Sequence, residues 1–226
     1  MLRAAMGVHD RFPGVALLTM SVAGFGDSRF DETVEGLIRS LEESPHRVAD
    51  LARAGQKHVD AWHGLYRGFG FNPRRRRPSF EALTRRLATQ GRLPRLNPAA
   101  DFCNLMSIVW QVPTGGYDQS SLPGGCLELR FSEEGEVFEP ISGDPLVLGA
   151  GQVVYAAGET VVTSGWNWRD SARTRLAGTR DPMVLIFEAV LGKGPALVDV
   201  ARAARSILPA GTSGPEETLI TGSRRR

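Results

Sequence analysis

The chain has 226 residues, of which 42% are hydrophobic and 23% are charged, and its formal net charge at pH 7 is +2. These values are ordinary for a folded protein, so they exclude general disorder and allow one large domain with a substantial core. The two cysteines are far apart in the sequence, which excludes a disulfide framework and a cysteine-based zinc site.

Apolar stretches are too short for a membrane span. The longest, such as residues 14–25 and 182–190, fall well short of the roughly 20 apolar residues that a spanning helix needs. The first residues contain one arginine and a broken apolar run, which is a poor match to a signal peptide. We therefore expect a cytoplasmic protein with no membrane partner.

Positive charge is concentrated in the first part of the chain. Residues 1–100 carry 16 Lys and Arg against 10 Asp and Glu, whereas residues 101–226 carry 11 against 15. The densest internal cluster is the run Arg74, Arg75, Arg76 and Arg77 between two prolines. Such a run can hold a phosphate backbone, or it can be a solvated turn whose arginines pair with nearby acids.

The first half of the chain is predicted to be mainly helical after one strand. Residues 14–25 mix apolar and β-branched residues and include Gly24 near their end, which predicts an early strand. Apolar residues then recur at helical spacing from 31 to about 61, with Pro45 dividing two helices. Further helices are predicted to begin near Ser79 and to cover residues 100–112, the second one being buried.

After Pro113 the pattern changes to strands. Residues 126–133 alternate strictly between apolar and polar, as does much of 151–166, while residues 182–190 alternate less and predict a central strand. A short helix follows at 198–208. The predicted fold is therefore α+β, with a helical N-terminal part packed on a mostly antiparallel β body.

These patterns suggest one domain with two loose ends. We expect a flexible N-terminus at 1–11, a single domain at 12–208 and a mobile C-terminal tail at 209–226. Within the domain, residues 12–96 are the helix-rich part and residues 97–208 the β-rich part that holds a pocket.

Histidines, the usual general bases and metal ligands, are absent from the β body. His9, His46, His58 and His63 all precede residue 64, on stretches read as loop or helix surface. This excludes a Ser-His-Asp or Cys-His site in the β body, and no metal site or phosphate-binding glycine loop is expected. No cofactor is predicted, and no catalytic residue is identified by pattern alone.

Several polar or small residues remain candidates for a site. Cys103 lies in an apolar helical run with no histidine near it in sequence, so it is a packed side chain or a pocket wall. Asp101 and Asn104 in the same run either cap locally or face a ligand. Gly115 and Gly116 allow a ligand or another backbone to approach, or form an ordinary turn.

Glu188 ends a strand that should be buried, where an unpaired carboxylate costs several kcal/mol. It therefore needs either a salt bridge, with Arg169 or Arg173 as the candidate partner, or a role in a pocket. Around the arginine run, the aromatic residues Trp62, Tyr66, Phe69 and Phe71 are read as core.

Four segments together resemble a known family. They are FGFNPRRRRPSFEAL, GRLPRLNPAADFCNLMS, VPTGGYD and GWNWRDSARTRLAGTRDPMVLIFEAV. The resemblance is to proteins built on the B3/B4 domain, the editing region of the phenylalanyl-tRNA synthetase β subunit, which also occurs as short freestanding proteins. It covers roughly residues 12–208 and implies binding to the 3′ end of tRNA and hydrolysis of a wrongly attached amino acid.

The resemblance also assigns positions. Cys103 falls where the synthetase pocket has a threonine, with Asn104 on the next polar position. Gly115 occupies the position of the family's editing histidine, and Gly116 occupies the position of the alanine beside it. Gly165 resembles the pocket glycine, and Glu188 the glutamate that reads the tyrosine hydroxyl. The missing histidine and threonine put recognition of tyrosine in doubt.

Alternation along GWNWRDSART predicts that Trp166 and Trp168 share one face of a strand end, opposite Asn167 and Arg169. Either the indoles wall a pocket or they pack the core while the polar residues face a ligand. The amino-acid pocket is then predicted to contain eight residues: Asp101, Cys103, Asn104, Gly115, Gly116, Gly165, Trp168 and Glu188.

Three functions follow as hypotheses. The first is an aminoacyl-tRNA deacylase acting in trans. The phosphates of its tRNA substrate would then contact six arginines: Arg74, Arg75, Arg76, Arg77, Arg169 and Arg173. The second is a non-catalytic module that binds tRNA or an amino acid, which the missing histidine favours. The third is a pocket retuned to a small metabolite. DNA is not expected as a partner, and the sequence does not indicate an oligomeric state.

Overall fold

The computed structural model describes residues 2–22, 28–174, 176, 182–209 and 216–221. Its helices are α1 (Met6–Arg11), α2 (Ser28–Glu42), α3 (Pro45–Gly68), α4 (Ser79–Gln90), α5 (Pro98–Trp110) and α6 (Leu197–Ile207). Its strands are β1 (Leu2–Ala4), β2 (Val15–Val22), β3 (Thr114–Asp118), β4 (Leu127–Phe131), β5 (Val137–Phe138), β6 (Leu146–Val147), β7 (Val153–Ala157), β8 (Thr160–Ser164), β9 (Arg169–Asp170), β10 (Met183–Val190) and β11 (Glu216–Ile220). The α+β prediction is confirmed.

The strand predicted to be central is central. A four-stranded antiparallel sheet has the order β11-β2-β10-β3, so β10 has a neighbour on each side. Among the five pairs of the β10–β3 register, Ile186 lies opposite Gly115, two residues before Glu188. The end of β10 and the start of β3 therefore meet at the place where several predicted site residues lie.

A second sheet faces the first. Its order is β1-β4-β7-β8-β9, and only the β1–β4 pairing is parallel among the strands that the structure describes. All five residues of β7 are buried, because this strand is covered on both faces. A separate hairpin of β5 and β6 completes the strands. The mostly antiparallel β body is thus formed by both sheets.

Helix α5 is buried between the first sheet and the other helices. Its start is fixed by Asn97, whose side chain accepts a hydrogen bond from the Ala100 amide at 2.9 Å, and by Pro98 in the first turn. Eight of its residues are buried, which agrees with the apolar run in the sequence. This packing fixes Cys103 against the start of β3.

Both chain ends are more structured than predicted. Residues expected to be a flexible N-terminus form β1 and α1, because Leu2 and Val8 are buried in the core. In the tail, β11 pairs with β2, and the buried Thr221 hydroxyl accepts a hydrogen bond from the Val15 amide at 3.0 Å. Each segment is held by partners distant in sequence, which composition alone does not reveal.

The aromatic cluster near the arginine run is core, as predicted. Trp62 and Tyr66 are fully buried, and Phe69 and Phe71 are nearly so. The surface position expected for His58 is wrong, since its imidazole is also buried. Its Nδ1 lies 2.8 Å from the Gln111 carbonyl oxygen, and burial lowers its pKa. His58 therefore helps to hold the core together and lies apart from the cavities described below.

None of the described helices combines the length and the apolar character that a membrane crossing requires.

Candidate functional site

A cavity of about 400 Å³ opens between α5, β3 and the segment after β9. Four of the predicted pocket residues line it: Cys103, Asn104, Gly115 and Gly116. Much of the remaining wall is apolar and comes from Leu96, Ala100, Ile141 and Leu176. We call it the outer cavity.

A smaller space of about 40 Å³ adjoins the outer cavity. The two share Thr114, Gly115 and Asp170 as lining residues, so they are two parts of one depression. Glu188 lines the smaller space, which we call the inner recess. The structure thus joins Glu188, from the end of β10, with residues from α5 and β3.

The Glu188 carboxylate is 3% exposed and is held by two neutral donors. The Tyr155 hydroxyl donates to Oε1 and the Asn167 amide donates to Oε2, each at 2.8 Å. Of the two alternatives for this carboxylate, a salt bridge with Arg169 or Arg173 is wrong, because Arg173 pairs with Glu139 and Arg169 lies over Trp168. Burial raises the pKa of Glu188 to about 7, and no cation pairs with it among the residues that the structure describes.

A second carboxylate, Asp170, stands where the two cavities meet. Its Oδ1 accepts a hydrogen bond from the Thr163 hydroxyl at 2.9 Å, and that hydroxyl is in turn hydrogen-bonded to Tyr117. The residue is exposed and lines both cavities. Protein atoms nevertheless surround the carboxylate closely enough that desolvation raises its pKa. Its charge is one of the factors that raise the pKa of Glu188.

The tryptophan-rich segment is a turn, so the predicted strand alternation is wrong. Residues 165–168 follow β8, and both Gly165 and Trp166 have φ of +65°. A Cβ on Gly165 would lie 2.1 Å from the Phe71 ring, so this position supports the turn and does not line the cavities. The turn buries the Trp166 indole and directs the Asn167 amide to Glu188.

Three buried polar atoms along the cavities have no hydrogen-bond partner within the described residues. They are Thr114 Oγ1, Thr174 Oγ1 and Trp166 Nε1. The indole N–H lies near the Glu188 carboxylate and lowers its pKa, but it does not reach hydrogen-bond geometry. Buried polar groups are normally paired, so three such atoms around one depression indicate a place for a polar ligand or for water.

Asp101 and Cys103 take structural roles on α5. The Asp101 carboxylate accepts a hydrogen bond from the Leu96 amide at 3.0 Å, so it caps the helix start and does not line the two cavities. Cys103 does line the outer cavity, but burial raises the pKa of its thiol to about 12. At neutral pH the thiol stays protonated, which removes it as a nucleophile.

The paired glycines of β3 differ in their surroundings. A Cβ on Gly116 would lie 3.1 Å from Leu185 and 3.2 Å from Met183, so this position is packed against the sheet. A Cβ on Gly115 meets nothing within 4 Å, because the residue faces the cavities. Gly115 therefore leaves space where the resemblance implies a histidine.

Arginines form a second, open concave surface next to the turn. It is lined by Arg75, Arg77, Arg85, Arg86, Arg169 and Trp168, and we call it the arginine surface. Trp168, predicted as a pocket wall, belongs to this surface and not to the cavities. The guanidinium of Arg169 lies 4.7 Å from the Trp168 ring centroid, and that of Arg76 lies 4.8 Å from it. Two cations thus flank one aromatic ring.

The other predicted phosphate contacts lie apart from this surface. Arg74 is exposed and does not line it. Arg173 makes two hydrogen bonds to Glu139, at 2.9 and 2.7 Å, and is likewise absent from it. Arg85 and Arg86 of this surface were not predicted, although they lie on α4, the helix that follows the arginine run.

The turn between β8 and β9 separates the arginine surface from the cavities. Asn167 lines the inner recess and Trp168 lines the arginine surface, while the next pair divides in the same way, with Arg169 on the surface and Asp170 in the cavity. The two sites are therefore neighbours, joined by four consecutive residues.

The chain is similar to a solved structure and matches a family model. A crystal structure of an N-terminal fragment of the phenylalanyl-tRNA synthetase beta-subunit from Pyrococcus horikoshii is similar at a TM-score of 0.46 and 12% sequence identity. The similarity covers 92% of this chain and 48% of that fragment, so the chain spans about half of its length. Among curated proteins, none matches the sequence. The B3/4 domain family matches residues 61–192, more than half of the chain. The chain belongs to the B3/4 domain family.

Proposed function

We propose that this protein is a trans-acting aminoacyl-tRNA deacylase that removes a wrongly attached amino acid from tRNA. The observation that carries the proposal is the shared wall formed by residues 167–170. A single-stranded 3′ end lying on the arginine surface brings its terminal ester to the adjoining cavity. Family membership and the resemblance of the site segments support the same ligand.

The arginine surface suits a nucleic-acid strand. Arginine side chains neutralise phosphates, and a guanidinium plane held against an aromatic ring, as Arg169 is against Trp168, can stack on an unpaired base. Because Arg76 and Arg169 flank the Trp168 ring, the side chain is held in place before a ligand arrives. Such preorganisation lowers the entropy that binding must offset.

The reaction is proposed to use water and no covalent intermediate. Water adds to the ester carbonyl, the acyl–oxygen bond breaks, and the products are a free amino acid and tRNA with its 3′ hydroxyl restored. Cys103 is unsuitable as a nucleophile because the pKa of its thiol is about 12. The polar groups that surround the inner recess position the substrate, and positioning alone supplies a large part of many enzymatic rates.

A second candidate is a binding module that holds the aminoacyl end of tRNA without hydrolysing it. One observation favours it: no histidine lines either cavity among the described residues, and Gly115 leaves that space empty of a side chain. A third candidate, binding of a small metabolite, differs from the first two in its salt dependence. Affinity for tRNA through several arginines falls steeply as salt increases, whereas affinity for a small neutral ligand does not.

Deacylation separates the first candidate from the second. Purified protein is incubated with a panel of tRNAs, each charged with its correct amino acid or with a near miss, and loss of the ester is followed. We expect one mischarged species to be hydrolysed and the rate to fall in Glu188→Gln. The matched control is Glu133→Gln, on an exposed loop, which should keep the wild-type rate.

Absence of hydrolysis across the whole panel, with the protein shown to be folded, would refute the deacylase and leave the binding module. If the protein neither hydrolyses nor binds any tRNA, binding of a small metabolite would be the remaining candidate. The double variant Arg85→Ala/Arg86→Ala tests the surface independently. Removing two phosphate contacts should lower the slope of log affinity against log salt by about 2.

A further inference from the structure

We propose that the inner recess binds a primary ammonium group, with Asp170 and Glu188 as its anionic partners and the outer cavity holding the rest of the ligand. The inference rests on the proposed function to the extent that it concerns the same cavities. It adds the chemical class of the group that enters the recess. An ammonium differs from the neutral tyrosine hydroxyl that the resemblance assigns to Glu188.

The charges of Asp170 and Glu188 are uncompensated within the described part of the chain. Within the described ranges, neither Asp170 nor Glu188 forms an ion pair with a lysine or an arginine. The two arginines that the sequence suggested as partners are otherwise engaged, Arg169 on Trp168 and Arg173 on Glu139. Two carboxylates beside one small space repel each other, and the charge of Asp170 raises the pKa of Glu188. A bound cation removes this repulsion and favours the ionised form of both.

The recess also presents hydrogen-bond acceptors that match an ammonium group. An ammonium has three N–H donors and no acceptor. Thr114 is 9% exposed, lines the recess beside the two carboxylates, and has a hydroxyl oxygen without a partner among the described residues. Asp170, Glu188 and Thr114 together offer three acceptor groups around the space, one for each donor.

The carboxylates are also held in place. Tyr155 and Asn167 fix both oxygens of Glu188, and the Tyr66 hydroxyl donates to the Asn167 oxygen at 2.8 Å, which orients that amide. Thr163 fixes one oxygen of Asp170 in the same way. A site whose acceptors are fixed before binding loses little side-chain entropy when the ligand arrives.

Size limits what enters. A space of about 40 Å³ exceeds the roughly 10–15 Å³ that one water needs, but it is far below the roughly 150 Å³ of a cavity known to hold benzene. The recess therefore takes a compact head group and no ring. The outer cavity, at about 400 Å³ and with apolar walls from Leu96, Ile141 and Leu176, takes the ligand body. The ligand is an amine with an apolar body.

A matched pair of probes tests the charge directly. Benzylamine and benzyl alcohol have the same shape, but only the amine is cationic at pH 8. Binding of each to the wild-type protein is measured by calorimetry without tRNA. We expect benzylamine to bind at least tenfold more tightly. Equal affinities, or no binding of benzylamine at millimolar concentration, would overturn the inference.

Variants test the residues. Asp170→Asn should weaken benzylamine binding about tenfold and leave benzyl alcohol unchanged, because it removes a charge and keeps the shape. Asp199→Asn, on α6 and paired with Arg202, is the matched control and should bind as the wild type does. If Asp170→Asn does not fold, Thr114→Val replaces it, with a severalfold loss expected for the amine alone. Unchanged amine affinity in the folded variant would refute the assignment.

The outcome is independent of deacylation. Amine binding without hydrolysis of any aminoacyl-tRNA would refute the proposed function and support the ammonium site. Hydrolysis of a mischarged tRNA without a preference for benzylamine over benzyl alcohol would support the proposed function and refute the ammonium site.

Discussion

The buried carboxylate of Glu188 should make the protein less stable as pH rises. Its pKa is about 7 in the folded protein, against an ordinary value of 4.5. Between these values the folded state keeps a proton that the unfolded state has released, so the free energy of unfolding falls with increasing pH. Each unit of pKa difference is worth about 1.4 kcal/mol, which gives a loss of about 3 kcal/mol from pH 4.5 to above 7.

The assay is urea unfolding of the wild type and of Glu188→Gln at several pH values from 4.5 to 8. Other carboxylates titrate in both proteins, so the difference between the two free energies isolates Glu188. We expect this difference to move by about 3 kcal/mol in favour of the variant as pH rises.

Glu139→Gln is the control for this experiment. Arg173 lowers the pKa of Glu139, so this carboxylate is ionised in both states above pH 6, and its substitution should leave the pH profile unchanged there. A difference between wild type and Glu188→Gln that stays constant from pH 4.5 to 8 would refute the reasoning. It would mean that Glu188 is solvated or paired with a cation.

Three further predictions concern the turn, the arginine surface and the thiols. Gly165→Ala should lower the free energy of unfolding by several kcal/mol, since its Cβ meets an aromatic ring at 2.1 Å, whereas Gly158→Ala, with φ of +57° and open space, should lose only about 1 kcal/mol in urea unfolding. Trp168→Ala should keep the wild-type melting temperature within a few degrees and weaken tRNA binding about tenfold in filter binding. Arg76 and Arg169 lose the ring that positions them, and a stacked base is worth roughly 1–3 kcal/mol. Unaltered affinity would remove Trp168 from the surface. Alkylation at pH 8, followed by mass spectrometry, should modify the half-buried Cys126 before Cys103, whose pKa is about 12, and the reverse order would contradict its burial.

Regular elements were predictable because they depend on local pattern. The apolar run of β10 indicated a central strand, and the run in α5 a buried helix, since both are covered on most sides. The same reasoning singled out Glu188 as needing a partner or a role in a pocket, because a carboxylate in a buried strand requires a special environment. That environment consists of the hydroxyl of Tyr155 and the amide of Asn167.

Features set by distant contacts were not predictable. The alternation of Trp166 and Trp168 favoured a strand, whereas a turn forms because Gly165 packs on Phe71, nearly a hundred residues earlier. His58 looked like a helix-surface residue, but its ring reaches the Gln111 carbonyl across the core. In each case the deciding partner lies far away in sequence, and no local propensity encodes it.

The arrangement of the arginine run in space was also not predictable from the local sequence. Its charge indicated an anion-binding surface, but the run alone did not show which members face it. Arg75 and Arg77 line the surface with Arg85 and Arg86 of α4, while Arg74 does not. The order of arginines around Trp168 depends on how α4 packs beside the turn that follows β8.

The central claim is that the arginine surface and the cavities bind one ligand, the aminoacylated 3′ end of tRNA. The most direct test measures the affinity of tRNA that carries a non-hydrolysable aminoacyl amide, against uncharged tRNA, for the wild type and for Glu188→Gln. The account predicts that at least one amino acid increases affinity about tenfold and that Glu188→Gln abolishes this gain while affinity for uncharged tRNA is kept. Equal affinity of charged and uncharged tRNA for every amino acid would contradict it.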